Sequence, residues 1–174
     1  DFDLLTGLYN RRAFYRQIEE VFMNKKRMAI GAMIMIDLDN LKYVNDTYGH
    51  DYGDEYIRTA ARVLQSLDTR NSVVARLSGD EFLAFFYGSG SRDTVRHRMD
   101  QIYEMFKNTK IHLPDGTSIP VRASAGMAWY PDDGENYDEL IRYADFAMYM
   151  VKKTNKGAVV EFNLESYSKE SYLL

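Results

Sequence analysis

A chain of 174 residues with 45% hydrophobic content is long enough for one domain with a sizeable core. Its longest apolar run, residues 28–36, falls far short of the roughly 20 residues needed to cross a bilayer. A formal charge of −4 without a basic block excludes the phosphate-neutralising stripe of a duplex binder, so nucleic acid is not an expected partner. The lack of cysteine excludes disulfides and thiolate metal sites and fits a reducing compartment. The expected location is the cytoplasm, either as a free protein or as the cytoplasmic part of a membrane-anchored one.

In chain order, a polar opening over residues 3–10 leads into Phe14, Ile18, Val21 and Phe22, which recur at helical spacing up to Lys25, Lys26 and Arg27. Residues 28–36 read as a buried strand that Asp37-Leu38-Asp39 follows at once, and period-two alternation aims the two aspartates the same way. Leu41 and Val44 suggest a short helix ending near Gly49. Tyr56, Ile57, Ala60, Val63, Leu64 and Leu67 mark the next helix, with Asp51, Asp54 and Glu55 expected in its first turn, where the helix dipole favours acids. Two β-favouring runs then flank Ser78-Gly79-Asp80-Glu81, a hairpin with two carboxylates at its tip. Residues 92–108 read as a helix, Pro114-Asp115-Gly116 as a turn, 121–130 as a strand, 131–136 as a loop, and 158–162 as a last strand. Between those last two pieces, Leu140, Ile141, Ala144, Ala147, Met148 and Val151 give the clearest helical stripe. Phe82, Phe85, Met148 and Tyr149 are expected in the core.

This order argues for a single α/β domain with a mixed or antiparallel sheet. Two strand ends carrying carboxylates, next to a helix rich in Lys, Asn and Asp, suit a phosphate-bearing ligand held through a divalent cation, because bare carboxylates repel phosphate. The chemistry this implies is metal-dependent phosphoryl or nucleotidyl transfer.

Asp3 to Arg12 reads Asp-Leu-Leu-Thr-Gly-Leu-Tyr-Asn-Arg-Arg. Together with Asp37-Leu38-Asp39, Lys42, Asn45-Asp46, Gly49-His50, Gly53-Asp54, Arg76, Gly79-Asp80-Glu81-Phe82, Ser124-Ala125-Gly126, Ala144-Asp145, Tyr149 and Lys152, it closely resembles the GGDEF (diguanylate cyclase) family, in order and spacing. The resemblance runs from Asp3 to about Gly157. It implies a palm-like nucleotide-cyclase fold, a central and mostly antiparallel sheet wrapped by helices, over residues 1–162. Residues 163–174 would be a tail or a linker to a downstream domain such as a cyclic di-GMP phosphodiesterase, with a sensor module upstream. The implied reaction joins two GTP into cyclic di-GMP with loss of two pyrophosphates, in a homodimer of domains that each hold one GTP.

Residue by residue, the resemblance makes Asp37 and Asp80 metal-binding carboxylates, with Glu81 beside them and the Leu38 carbonyl as a further ligand of two Mg²⁺ (or Mn²⁺) ions. Asn45 and Asp54 would read the guanine edge, and Lys42, Lys152 and Lys156 would meet phosphates beside the Ser78-Gly79 turn. Asp39 reads as a strand-end cap or an acid supporting the ligands, His50 as a turn residue, Lys153 as the solvated basic end of a helix, and Asn10, Arg11 and Arg12 as structural anchors.

The chain departs from the family pattern in three places. Ser78 stands where the signature has its first glycine, which would cost on the order of 1 kcal/mol if the turn needs positive φ there. Asn155-Lys156-Gly157 replaces Gly-Arg-Asn and loses bidentate phosphate geometry. The product-inhibition pair of Arg and Asp would fall on Thr69 and Ser72 and is absent. A GTP-binding regulatory module that no longer turns over is therefore the alternative to a working cyclase.

Overall fold

In a computed structural model of the chain, residues 1–66 and 70–173 are described; the expectations for Leu67 and Thr69 fall outside them. The sheet is built outward from strand β1 (Ile30–Leu38), whose residues are buried on both faces. β1 lies between β3 (Glu81–Ser89) and β6 (Ala123–Tyr130), with β2 (Ser72–Ser78) beyond β3 and β7 (Val159–Glu161) beyond β6. All these pairs are antiparallel except β6 with β7. β1 starts and ends two residues later than the apolar run suggested. Met28 instead closes a 3-10 turn over Lys25–Arg27, and Asp37 is a strand residue.

Alternation along the strands sorts the core into two layers. Met33, Met35, Leu83 and Phe85 face helices α1 (Arg11–Met23) and α5 (Tyr137–Thr154), meeting Phe14, Ile18, Ala144 and Met148. Ile34, Ile36, Phe82, Ala84 and Trp129 face α3 (His50–Ser66) and α4 (Arg92–Asn108), meeting Tyr56, Ile57, Val95 and Ile102. Side-chain caps set the helix starts: the Asn10 and Asn136 carboxamide oxygens accept from the N–H groups of Ala13 and Glu139 at 2.9 and 2.8 Å.

Four expectations change. Tyr149 is 50% exposed and is not core, whereas Phe82, Phe85 and Met148 are buried. Asn10 caps α1 as an anchor should, but Arg11 and Arg12 are exposed and make no ion pair among the described residues. A small hairpin, β4 (Lys110–His112) and β5 (Ser118–Pro120), brackets the expected Pro114-Asp115-Gly116 turn, so β6 begins at Ala123. Only Ile111 of β4 is buried, and three residues are too few to show a period. The tail forms helix α6 (Leu164–Leu173), and its Tyr167 ring packs on Tyr143, Phe146 and Phe162 at 5.2, 5.1 and 5.7 Å. Lys153 is drawn to Glu170 of α6 at 4.0 Å, so it is not simply solvated. No described helix is long and apolar enough to cross a membrane.

Candidate active site

The turn between β2 and β3 is pinned to the end of β1. The Leu38 N–H donates to the Asp80 carbonyl at 2.9 Å, and Asp37 pairs in register with Glu81 on one side and Ser124 on the other. Residues directly opposite in an antiparallel pair share a face, so the Asp37 and Glu81 side chains leave the same side of the sheet. Burial pushes the Asp37 carboxyl up to about 7 in spite of the Lys152 ammonium at 2.8 Å, and the adjacent Asp80 carboxyl pushes it the same way. The second oxygen of Asp37, Oδ1, is buried without any hydrogen-bond partner.

An orphaned carboxylate oxygen beside a second acid fits a divalent cation, which would satisfy that oxygen and cancel the repulsion that raises the pKa. Among the described residues no three acidic or histidine side chains converge on one point. A cation here would rest on the Asp37–Asp80 pair together with backbone oxygen.

Arg76 holds the hairpin tip from below. Its Nε donates to the Gly79 carbonyl at 3.0 Å and its Nη1 to Asp3 at 3.0 Å. Asp3 also accepts from the N–H and hydroxyl of Thr6, at 2.9 and 2.7 Å. Burial opposes ionisation of Asp3, but these donors win and hold its carboxyl below the usual range. Gly79 takes φ +44°, the left-handed region that favours glycine, whereas Ser78 does not. The glycine requirement falls on the second signature position, so Ser78 carries no such strain.

Asp39 and Lys152 lie next to the pair. Asp39 is buried; its carboxylate accepts from the Ser124 hydroxyl at 3.0 Å, and that hydroxyl accepts from the Gly157 N–H at 3.0 Å. These bonds tie the end of β1 to the loop after α5. Buried Tyr56 donates to the Asp39 carbonyl at 2.8 Å, and burial pushes its hydroxyl up to about 12. Lys152 Nζ stands 3.9 Å from Asp39 as well as 2.8 Å from Asp37.

The expected base-reading residues come from the junction of α2 (Leu41–Tyr48) and α3. A Cβ at Gly53 would overlap the Asn45 carboxamide, so Asn45 lies directly on the α3 backbone one residue before Asp54. Because α3 starts at His50, Asp54 is in its second turn and does not cap the helix. His50 is exposed at that helix start. Lys42 is exposed and paired with Asp46 at 2.8 Å. Glu81 opens onto a recess of about 350 Å³ between α1 and α5, shared with Arg11, Tyr15, Asp138 and Asp145; burial raises the pKa of Asp145.

The acids, Lys152 and Lys156 thus gather at one end of the sheet. A larger cleft of about 530 Å³, between α4 and the β5–β6 connection, contains none of the expected site residues. The carboxylate pair sits at open strand ends and not in a deep hollow, so cleft size is a poor guide to it. Nothing in the linear pattern marks Arg122, which precedes β6, yet its Nη2 donates to the Lys156 carbonyl at 2.9 Å and its Nε lies 3.9 Å from Asp39. The only linear sign is a charged residue at the head of an apolar strand.

The family description "Diguanylate cyclase, GGDEF domain" matches residues 1–158. Among curated proteins, a probable diguanylate cyclase of Escherichia coli, DgcC, is 34% identical over 156 residues, 89% of this chain and 41% of the relative. The cyclic di-GMP phosphodiesterase NbdA of Pseudomonas aeruginosa is 34% identical over 157 residues, 90% of this chain and 20% of the relative. The chain therefore spans less than half the length of these two relatives. Among solved structures, the isolated GGDEF domain of TpbB (YfiN) from Pseudomonas aeruginosa superposes with a TM-score of 0.89 at 28% identity, covering 98% of this chain and 99% of that one.

Proposed function

The chain belongs to the diguanylate cyclase GGDEF domain family, and on that premise we propose that it condenses two GTP molecules into cyclic di-GMP with release of two pyrophosphates. The observation that carries this reading is the Asp37–Asp80 pair at the strand ends, with one buried Asp37 oxygen left without a partner. Asp37, Asp80 and the Leu38 carbonyl would hold Mg²⁺ or Mn²⁺, two ions per site, which when bound neutralise the triphosphate and the departing pyrophosphate. Asn45, resting on Gly53, and Asp54 beside it offer a carboxamide and a carboxylate to the guanine edge. The carboxylate accepts from N1–H and the exocyclic amine, donors that adenine lacks. Lys152 leaves Asp37 for phosphate as the site fills, and Lys156 and Lys42 add charge at the rim beside the Ser78-Gly79 turn.

The Glu81 side chain makes no hydrogen bond or ion pair among the described residues and faces the same side as Asp37. We assign it the proton of the attacking 3′-hydroxyl. The new bond joins that oxygen to the α-phosphorus of the second GTP, and the bond to pyrophosphate breaks. Because one domain holds one GTP, a homodimer brings two such sites face to face.

The test is incubation with GTP and Mg²⁺ and analysis of the nucleotides. Cyclic di-GMP from the wild type, with a rate lower by orders of magnitude in Asp80→Asn, is the expected result. Full activity in Asp80→Asn would overturn the assignment. The likeness to NbdA favours a second reading, a GTP-binding module that regulates an attached phosphodiesterase. Nucleotide binding without product would select it.

A further inference from the structure

We propose that Arg122 is a phosphate-binding residue of the nucleotide site, supplying the planar guanidinium that Lys152 and Lys156 cannot. The inference rests on the nucleotide-site reading above. Arg122, just before β6, and Ser124, within it, both reach toward the Asp39 carboxylate. The distances agree: the Ser124 hydroxyl is 3.0 Å and Arg122 Nε 3.9 Å from that carboxylate. Lys152 Nζ approaches the other Asp39 oxygen at 3.9 Å, so two cations straddle one buried acid.

The guanidinium is held in place without being used up. Its Nη2 donates to the Lys156 carbonyl, and the group lies flat on Gly157, where a Cβ would meet Nε at 2.5 Å and Nη2 at 3.0 Å. The side chain is 53% exposed. Of the five N–H donors of a guanidinium, one is bonded here, and the 3.9 Å approach to Asp39 is too long for a hydrogen bond. The remaining donors have no hydrogen-bond partner among the described residues, and Arg122 stands on the rim between the Lys156 loop and the 530 Å³ cleft, which it also lines. Two ammonium groups bind phosphate as point charges, whereas a fork of parallel N–H groups binds two oxygens of one phosphate and so fixes its direction. A staple needed only to close the loop would require the single bond to the Lys156 carbonyl. The exposed donors suit an anion that arrives with the ligand.

Calorimetric titration of GTP and GMP, with Ca²⁺ as a non-catalytic metal, decides the point for wild type, Arg122→Gln and Arg122→Lys. Gln removes the charge and, ending two bonds short of Nη2, also gives up the Lys156 contact, which the thermal midpoint of the variant reports separately. The expected result is a loss of about tenfold or more in GTP affinity for Arg122→Gln, GMP affinity unchanged within about twofold, and partial recovery in Arg122→Lys. GTP affinity within about twofold of wild type in Arg122→Gln would overturn the inference, as would an equal loss for GTP and GMP with a lowered thermal midpoint, the mark of a loop staple. If the wild type binds no GTP, the nucleotide-site reading falls and takes the inference with it; wild-type binding with an unaffected variant removes the inference alone.

Discussion

At the scale of single residues, Asp37 carries the tension of the site. Its unfolded value is 3.8 and burial lifts the folded value to about 7, so the fold favours the protonated form. The resulting contribution to stability is fully present below 3.8 and is lost as pH rises through about 7. In Asp37→Asn nothing titrates there. With chelator present, the thermal midpoint of the wild type should therefore fall relative to that of Asp37→Asn between about pH 4 and pH 8, and saturating Mg²⁺ should lift the wild type at the upper end only. A difference between the two proteins that stays flat across that range would discard burial as the cause. Ser78 leads the other way: the left-handed turn position belongs to Gly79, so a glycine at 78 relieves nothing. Ser78→Gly should leave cyclase rate within about twofold and lower stability by up to about 1 kcal/mol through the freer unfolded chain. A large gain in rate would show that the serine itself, and not its backbone, restrains the site.

At the scale of elements, legibility followed length and period. The nine residues of β1 and the long stripes of α4 and α5 announce themselves, as does the Gly79-Asp80 turn between two apolar runs. Asp37, Asp80 and Lys152 could be named because their types sit at element ends in a familiar order. The β4–β5 hairpin could not be read, since three-residue strands carry no period. Arg122 stayed hidden because its partners, Asp39 and Lys156, are 83 and 34 positions away. The unread hairpin still bears on the site. The Tyr48 hydroxyl, at the end of α2, donates to Asp115 at 2.7 Å, and Asp115 in turn accepts from the N–H and hydroxyl of Thr117 at 3.0 and 2.6 Å. Through this bond the hairpin braces the α2–α3 junction that carries Asn45 and Asp54. Tyr48→Phe keeps the ring and removes the donor. GTP affinity should drop severalfold while global stability changes by less than about 1 kcal/mol, because the bond is exposed. Unchanged affinity in a GTP titration would show that the helices hold their angle unaided.

At the scale of the whole molecule, the sheet order places the carboxylate pair on β1 and the β2–β3 turn, at one end of the sheet, with α5 delivering Lys152 from one face and the α2–α3 junction opening at the end of β1. The Asp37 side chain is 13% exposed at this end, and neither carboxylate of the pair lines the 530 Å³ cleft. One domain presents one Asp37–Asp80 pair and one Asn45–Asp54 edge, which on the proposed reading would serve a single GTP. The proposed reaction needs a 3′-hydroxyl from one GTP and an α-phosphorus from another, each on its own domain, and the ring closes only when both bonds form. On that proposal a second copy facing the first would complete the site. The formal charge of −4 on each copy makes that encounter weak unless nucleotide and metal bring opposite charge to the interface. The rate per protein should thus rise with protein concentration and with Mg²⁺–GTP, approaching a plateau as dimers form. Product formation measured over about a hundredfold range of protein concentration checks this, and a rate per protein that stays constant below the dimer dissociation constant found by sedimentation would show that one domain suffices.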